Sequence, residues 1–225
     1  MRDWRQLRLA SFDIETTGLD CRKNRITEIG IVVFEERVPI ESYSTLINPK
    51  MKIEVKASEV SGITNEMVEN EKPFSEVAKK IRKVLSSCDL WCAFNETFDR
   101  SFVMHEFKQC NLGIELKPVL DARIIADFVW PQGPNHLDNV VQRLKLSPNK
   151  EVLRNFNIET VRHRALYDAL LCGMALYDLA GIMPVDLNHT LIVQYWMYKY
   201  WLKFTKQGEK KYTRELEPLL PEDLE

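Results

Sequence analysis

The chain is expected to fold as an α/β domain: a mixed sheet of three antiparallel strands plus two parallel ones, covered by helices. Three observations carry this expectation. Apolar runs at about Leu7–Ile14, Ile26–Glu35 and Val38–Ile47 follow one another through short turns, the pattern of an antiparallel meander. Two later short runs, Asp89–Phe94 and around Pro118–Leu120, alternate with helical periodicity, which adds strands in parallel. Hydrophobic residues make up 45% of the 225-residue chain, enough for one packed core with an appendage.

Each element has its own reason. After the meander comes a mostly helical spacer, whose best helix is Pro73–Ser86. There Phe74, Val77, Ala78, Ile81 and Val84/Leu85 form a stripe at helical spacing. Lys79, Lys80, Arg82 and Lys83 fall on the other side, so this basic cluster reads as a solvated face rather than a DNA-binding element. Helices are expected at Glu96–Cys110, Ala122–Val129, His136–Leu144 and Arg164–Ala180, and Ile182-Met183-Pro184 marks a boundary. Residues 1–182 are thus one domain and 183–225 an extension with an acidic, frayed end. Within the extension, His189–Phe204 carries Tyr195, Trp196, Tyr198, Tyr200 and Trp201, with basic residues interleaved and following. So many aromatics must bury against something: the domain itself, which is preferred, a partner such as a polymerase through residues 186–225, or stacked bases.

Composition bounds the rest. A net charge of −2 gives no global nucleic-acid footprint, although an enzyme gripping a few nucleotides needs none. The N-terminal residues lack a leader-like pattern, and no uninterrupted apolar run of roughly 18 residues is evident, so no membrane association is expected. Five cysteines at irregular spacing, with Cys88-x-x-x-Cys92 in a buried strand, read as core thiols rather than a zinc site. A cytoplasmic, reduced protein is the expectation.

Chemistry concentrates in three segments. Asp13 and Glu15 end the first apolar run, in Ser11-Phe12-Asp13-Ile14-Glu15-Thr16-Thr17-Gly18-Leu19. On a strand, side chains at i and i+2 share a face. Two like-charged carboxylates side by side need a metal, a shared proton or good solvation, and hard oxygen ligands suit Mg²⁺ or Mn²⁺. The second segment is Ala93-Phe94-Asn95-Glu96-Thr97-Phe98-Asp99, where Asn95 is a plausible N-cap and Asp99 falls in the first helical turn. The third is His163-Arg164-Ala165-Leu166-Tyr167-Asp168. Five helical steps of about 100° put two side chains roughly 140° apart, so His163 and Asp168 converge only if His163 lies on the loop before the helix. Beside a metal site, such a histidine is a candidate general base for water.

Together, Asp13-x-Glu15-Thr16-Thr17-Gly18-Leu19, Asn95-x-x-Phe98-Asp99 and His163-x-Ala165-x-x-Asp168 resemble the three motifs of the DEDDh 3′–5′ exonucleases. Ile29-Gly30, Ile47-Asn48-Pro49, Ser61-Gly62-Ile63-Thr64-Asn65-Glu66-Met67-Val68 and His136-Leu137-Asp138-Asn139 resemble the family between them. The resemblance runs from about Leu7 to Ala180 and is closest in style to the proofreading epsilon-type exonucleases of bacterial replicative polymerases. Phe94 departs from it, standing where many relatives carry His, and is expected to pack.

The resemblance implies a ribonuclease H-like fold and two-metal-ion hydrolysis from a 3′ end, releasing 5′-mononucleotides. It implies that Asp13 bridges two Mg²⁺ (or Mn²⁺) ions, that Glu15 and Asp168 complete one site and Asp99 serves the other, and that His163 is the base. Thr16, Thr17, Gly18, Leu19, Asn95 and Phe98 would line the terminal nucleotide, with Ser61 facing its base. Single-stranded DNA is favoured as substrate. An RNA-trimming relative resembling ribonuclease T or oligoribonuclease, and an inactive binding module, are the alternatives.

Overall fold

A computed structural model describes residues 4–183; the expectations for the extension fall outside the described residues. A short 3-10 turn at Trp4–Gln6 leads into β1 (Leu9–Thr16), β2 (Ile26–Glu35) and β3 (Val38–Leu46). Then follow α1 (Val55–Ser61), α2 (Asn65–Val68), α3 (Phe74–Ser86), β4 (Leu90–Ala93), α4 (Glu96–Gln109), β5 (Val119–Asp121), α5 (Ala122–Val129), α6 (Leu137–Leu144), α7 (Lys150–Asn155) and α8 (Ala165–Ile182). The five strands form one sheet in the order β3-β2-β1-β4-β5. β1 and β3 flank β2 antiparallel, while β4 and β5 add in parallel, as expected. The β2–β3 hairpin turns on Glu36 and Arg37, both at positive φ (48° and 73°), which matches the right-handed twist of the flanking strands.

Strand alternation divides two cores. On one face, Leu9 of β1 and Val32 and Phe34 of β2 pack with α5, α6 and α8. On the other, Ala10, Phe12 and Ile14 of β1 and Ile29, Ile31 and Val33 of β2 pack with α3 and α4. The basic residues of α3 are exposed opposite its buried stripe, as expected. Cys88 and Cys92 are free thiols buried in the core, and Phe94 packs against the first cluster.

The 18-residue helix α8 is long and apolar enough to cross a membrane by length and composition, yet it is largely buried within the fold. It is apolar all round because it packs on β1, β2 and β4 on one side and on α5 and α6 on the other.

Close approach of α8 to the sheet depends on Gly30. This residue faces α8 in β2, and a Cβ there would overlap the backbone of Ala165 and Leu166. Gly30 is also the cross-strand partner of Asp13. The missing side chain therefore lets the first turn of α8 descend onto the strand pair beside the acidic residues. Gly30→Ala should cost roughly 1–3 kcal/mol in denaturant unfolding, as overpacking does, and should lift Asp168 away from β1. Wild-type stability in this variant would sink the argument.

Candidate active site

β1 extends two residues beyond its expected end, so Asp13 and Glu15 both lie within the strand. Both stand on the parity of Leu9 and Ser11, toward α8. They are partly buried where their neighbours Phe12 and Ile14 are fully buried. β4 pairs with β1 only as far as Ser11, and the open edge beyond it lets the N–H of Ile14 donate to Asp99 Oδ1 at 3.2 Å. Asp99 is buried in the first turn of α4 and so reaches β1 from the opposite layer.

His163 lies outside α8 and Asp168 in its first turn, the arrangement their spacing demands. His163 adopts a left-handed conformation (φ 60°), uncommon for a residue with a side chain. Its N–H donates to Asp168 Oδ2 at 3.2 Å. The imidazole is exposed, and ligand atoms of Glu15, His163 and Asp168 all lie within 4.8 Å of one another.

The electrostatics reflect crowding. Burial, then the Asp99 and Glu15 carboxylates, push the Asp13 carboxyl well above the usual range, opposed by Arg162. Glu15 is pushed up to about 8 by burial and by the Glu28 and Asp99 carboxylates. Burial also raises Asp99, against the hydrogen bonds it accepts from backbone N–H groups. A divalent cation would relieve this repulsion, and the oxygen-rich donor set, with one imidazole nearby, fits Mg²⁺ or Mn²⁺.

Two supporting carboxylates escaped the sequence reading. Glu28 is buried opposite Glu15 across β1–β2. It accepts from the Arg164 guanidinium at 2.7–3.2 Å and from the N–H of Ala165 at 3.0 Å, tying the start of α8 to the sheet. A charged residue on the buried face of an apolar strand, two positions from Gly30, was its signal. Asp121 caps two helices at once. It accepts from the N–H groups of Asn95 and Glu96 at 3.1 and 3.0 Å and from those of Arg123 and Ile124 at 2.9 and 3.3 Å. An Asp directly before a helical run was its signal.

This corrects the reading of Asn95. It occupies the N-cap position of α4 with φ 74°, but its side chain makes no capping bond; Asp121 supplies the acceptor instead. Thr16, Thr17 and Gly18 shape the loop after β1. Thr16 Oγ1 donates to the Gly18 carbonyl at 2.7 Å, and the buried Thr17 hydroxyl donates to Asn24 Oδ1 at 3.1 Å and accepts from the N–H of Arg25 at 3.0 Å. A Cβ on Gly18 would overlap the side chains of Glu54 and Asn24. Leu19, by contrast, is 84% exposed. Phe98 is partly buried, its ring 5.0 Å from that of Phe102. The buried Ser61 hydroxyl donates to the Ala57 carbonyl at 2.9 Å and accepts from Ile63 N–H at 3.2 Å, so it is spent on the end of α1.

A protein-family model described as "Exonuclease" (RNase_T) matches residues 11–176, most of the chain. The chain belongs to this exonuclease family. Among relatives of this family member, the PolC-type DNA polymerase III of Thermotoga petrophila is 34% identical over 172 residues, 76% of this chain. The 3′-5′ exonuclease DinG of Bacillus subtilis is 30% identical over 174 residues, again 76% of the chain. The matches span only 12% and 17% of those two proteins. Among solved structures, exonuclease X in complex with 5′-overhanging duplex DNA superposes with a TM-score of 0.65 at 22% identity, covering 83% of this chain and 99% of that one. E. coli exonuclease I in complex with a dT13 oligonucleotide gives 0.62 at 15% identity, covering 79% and 41%. These likenesses establish the ribonuclease H-like fold.

Proposed function

We propose that the chain is a metal-dependent 3′–5′ exonuclease that removes 5′-mononucleotides from single-stranded DNA in a proofreading manner. The observation that carries this reading is the convergence of Asp13, Glu15, Asp99, His163 and Asp168 from three separate segments on one end of β1. Two Mg²⁺ (or Mn²⁺) ions held by Asp13, Glu15, Asp99 and Asp168 would supply Lewis-acid stabilisation to the attacking and leaving oxygens of the phosphodiester.

The protein's own groups do the rest. His163, exposed at the mouth of the cluster, takes the proton of the attacking water, and its N–H contact with Asp168 fixes the loop that carries it. Asp99 joins α4 to β1 and holds its carboxylate at the site through Ile14. Leu19 offers an apolar surface to the terminal base, and Phe98 flanks the same end of the sheet. Thr16, Thr17 and Gly18 act by holding the loop that presents Leu19, and Ser61 and Asn95 act through backbone shape rather than side-chain contact.

DNA is favoured because the relatives named above are a DNA polymerase and DinG, and the structural neighbours were solved with DNA. Association with a polymerase rests on the same likeness, with residues 186–225 the candidate contact. End-labelled single-stranded DNA and RNA of one sequence, incubated with Mg²⁺ or with EDTA, test the reading. The expected outcome is a ladder of shortened DNA products with Mg²⁺, slower RNA trimming and no products in EDTA. Preferential RNA trimming would favour the exoribonuclease alternative, and absence of any cleavage would leave a binding module.

A further inference from the structure

Arg162 stands directly before the proposed base and pairs with two acids of different exposure. Its guanidinium contacts the buried Asp168 and the Asp138 carboxylate at the start of α6, whose side chains are 7% and 60% exposed. Toward Asp138 the contact is a hydrogen-bonded ion pair through Nε. Toward Asp168 the contact is a buried ion pair between Arg162 Nη1 and Asp168 Oδ1. Asp168 Oδ2 is already used by His163 N–H. The neighbouring cation Arg164 is committed to Glu28 through both Nε and Nη2. Arg162 thus spans two carboxylates, one buried in the acidic cluster and one at its rim.

We propose that Arg162 is a built-in counter-cation that competes with the divalent ion for Asp168, and that Asp138 is the rim anchor onto which it withdraws when the ion binds. The inference rests on the metal-site reading above. A guanidinium and a divalent cation cannot share Asp168 Oδ1 without strong repulsion, so binding must displace Arg162. Asp138 lowers the cost of that displacement by offering a second carboxylate within reach. The device keeps crowded acids tolerable in the metal-free protein and sets how tightly metal is held.

Mn²⁺ titration of the full chain by calorimetry, with melting in EDTA alongside, tests this. Arg162→Gln should bind Mn²⁺ about tenfold more tightly, a typical coupling between competing ligands, and should melt lower in EDTA at neutral pH. Asp138→Asn should bind Mn²⁺ more weakly, because Arg162 loses its second anchor. Unchanged or weaker Mn²⁺ affinity in Arg162→Gln, with a raised KM for oligonucleotide, would make Arg162 a phosphate contact and overturn the proposal. Should Arg162→Gln fail to fold, Asp138→Asn decides alone, and unchanged or tighter binding there overturns it. A wild-type chain that binds no Mn²⁺, with both variants equally inert, would remove the metal-site reading itself.

Discussion

Asp13→Asn should lower Mg²⁺-dependent kcat by at least about a thousandfold, in line with the loss of a group that organises charge at the reacting centre, while raising the melting temperature of the metal-free protein at neutral pH. The two halves have one cause. Asp13 sits between Glu15, Asp99 and the packed start of α8, and burial plus those carboxylates hold its proton on well above the usual range. A carboxyl whose folded pKa is raised stabilises the fold fully below its unfolded value, and that contribution is lost as pH rises through the folded value. For Glu15 the window runs from its unfolded value near ~4.3 up to about 8, and for Asp13 it opens lower because an unfolded Asp titrates near ~3.9. Wild-type protein in EDTA should therefore melt at progressively lower temperature between roughly pH 5 and pH 8, and Asp13→Asn should show a shallower decline. Thermal melts across that range, paired with turnover of a labelled oligonucleotide, read both effects. Substantial Mg²⁺-dependent turnover in Asp13→Asn would exclude its bridging role.

The sheet was legible because strand alternation and helical stripes are local signals, and the meander followed by parallel additions appears as expected. The acids of β1 were legible for the same reason: two residues apart on a strand means one face. What escaped depends on long-range contacts. Asn95 has the composition of a cap, but Asp121, 26 positions later, provides the capping acceptor. Thr17 and Ser61 resemble ligand-facing hydroxyls in a motif, yet each is buried and bonded within the protein. Glu28 becomes a tie for α8 only once that helix lies across β2. Helix α7 is only six residues long, and its Val152 and Leu153 are adjacent and partly buried, so it shows no helical stripe to announce it. Gly30 was noted only for resemblance, whereas its physical reason, the backbone of Ala165 and Leu166 above it, needs the packed fold.

His163 and Asp168 are five positions apart and cannot share a helix face, and the left-handed turn before α8 resolves the geometry. If His163 is the base for water, as proposed, its removal should lower kcat by about a hundredfold to ten-thousandfold and leave Mn²⁺ affinity nearly unchanged. The competing role is that of a ligand, since its ring nitrogens lie with Glu15 and Asp168 oxygens inside 4.8 Å. Alanine alone cannot separate these roles from backbone strain, because φ 60° costs Ala more than it costs His or Asn. His163→Asn tolerates the left-handed turn, and its N–H can still donate to Asp168, but its amide cannot accept a proton from water at neutral pH. If His163 is the base, Asn and Ala variants should lose kcat alike, with Mn²⁺ affinity and melting temperature close to wild type in the Asn variant. If the loss comes from the turn, Asn should restore most of the activity. If His163 is a ligand, both variants should bind Mn²⁺ more weakly, and excess metal should recover turnover that a missing base cannot.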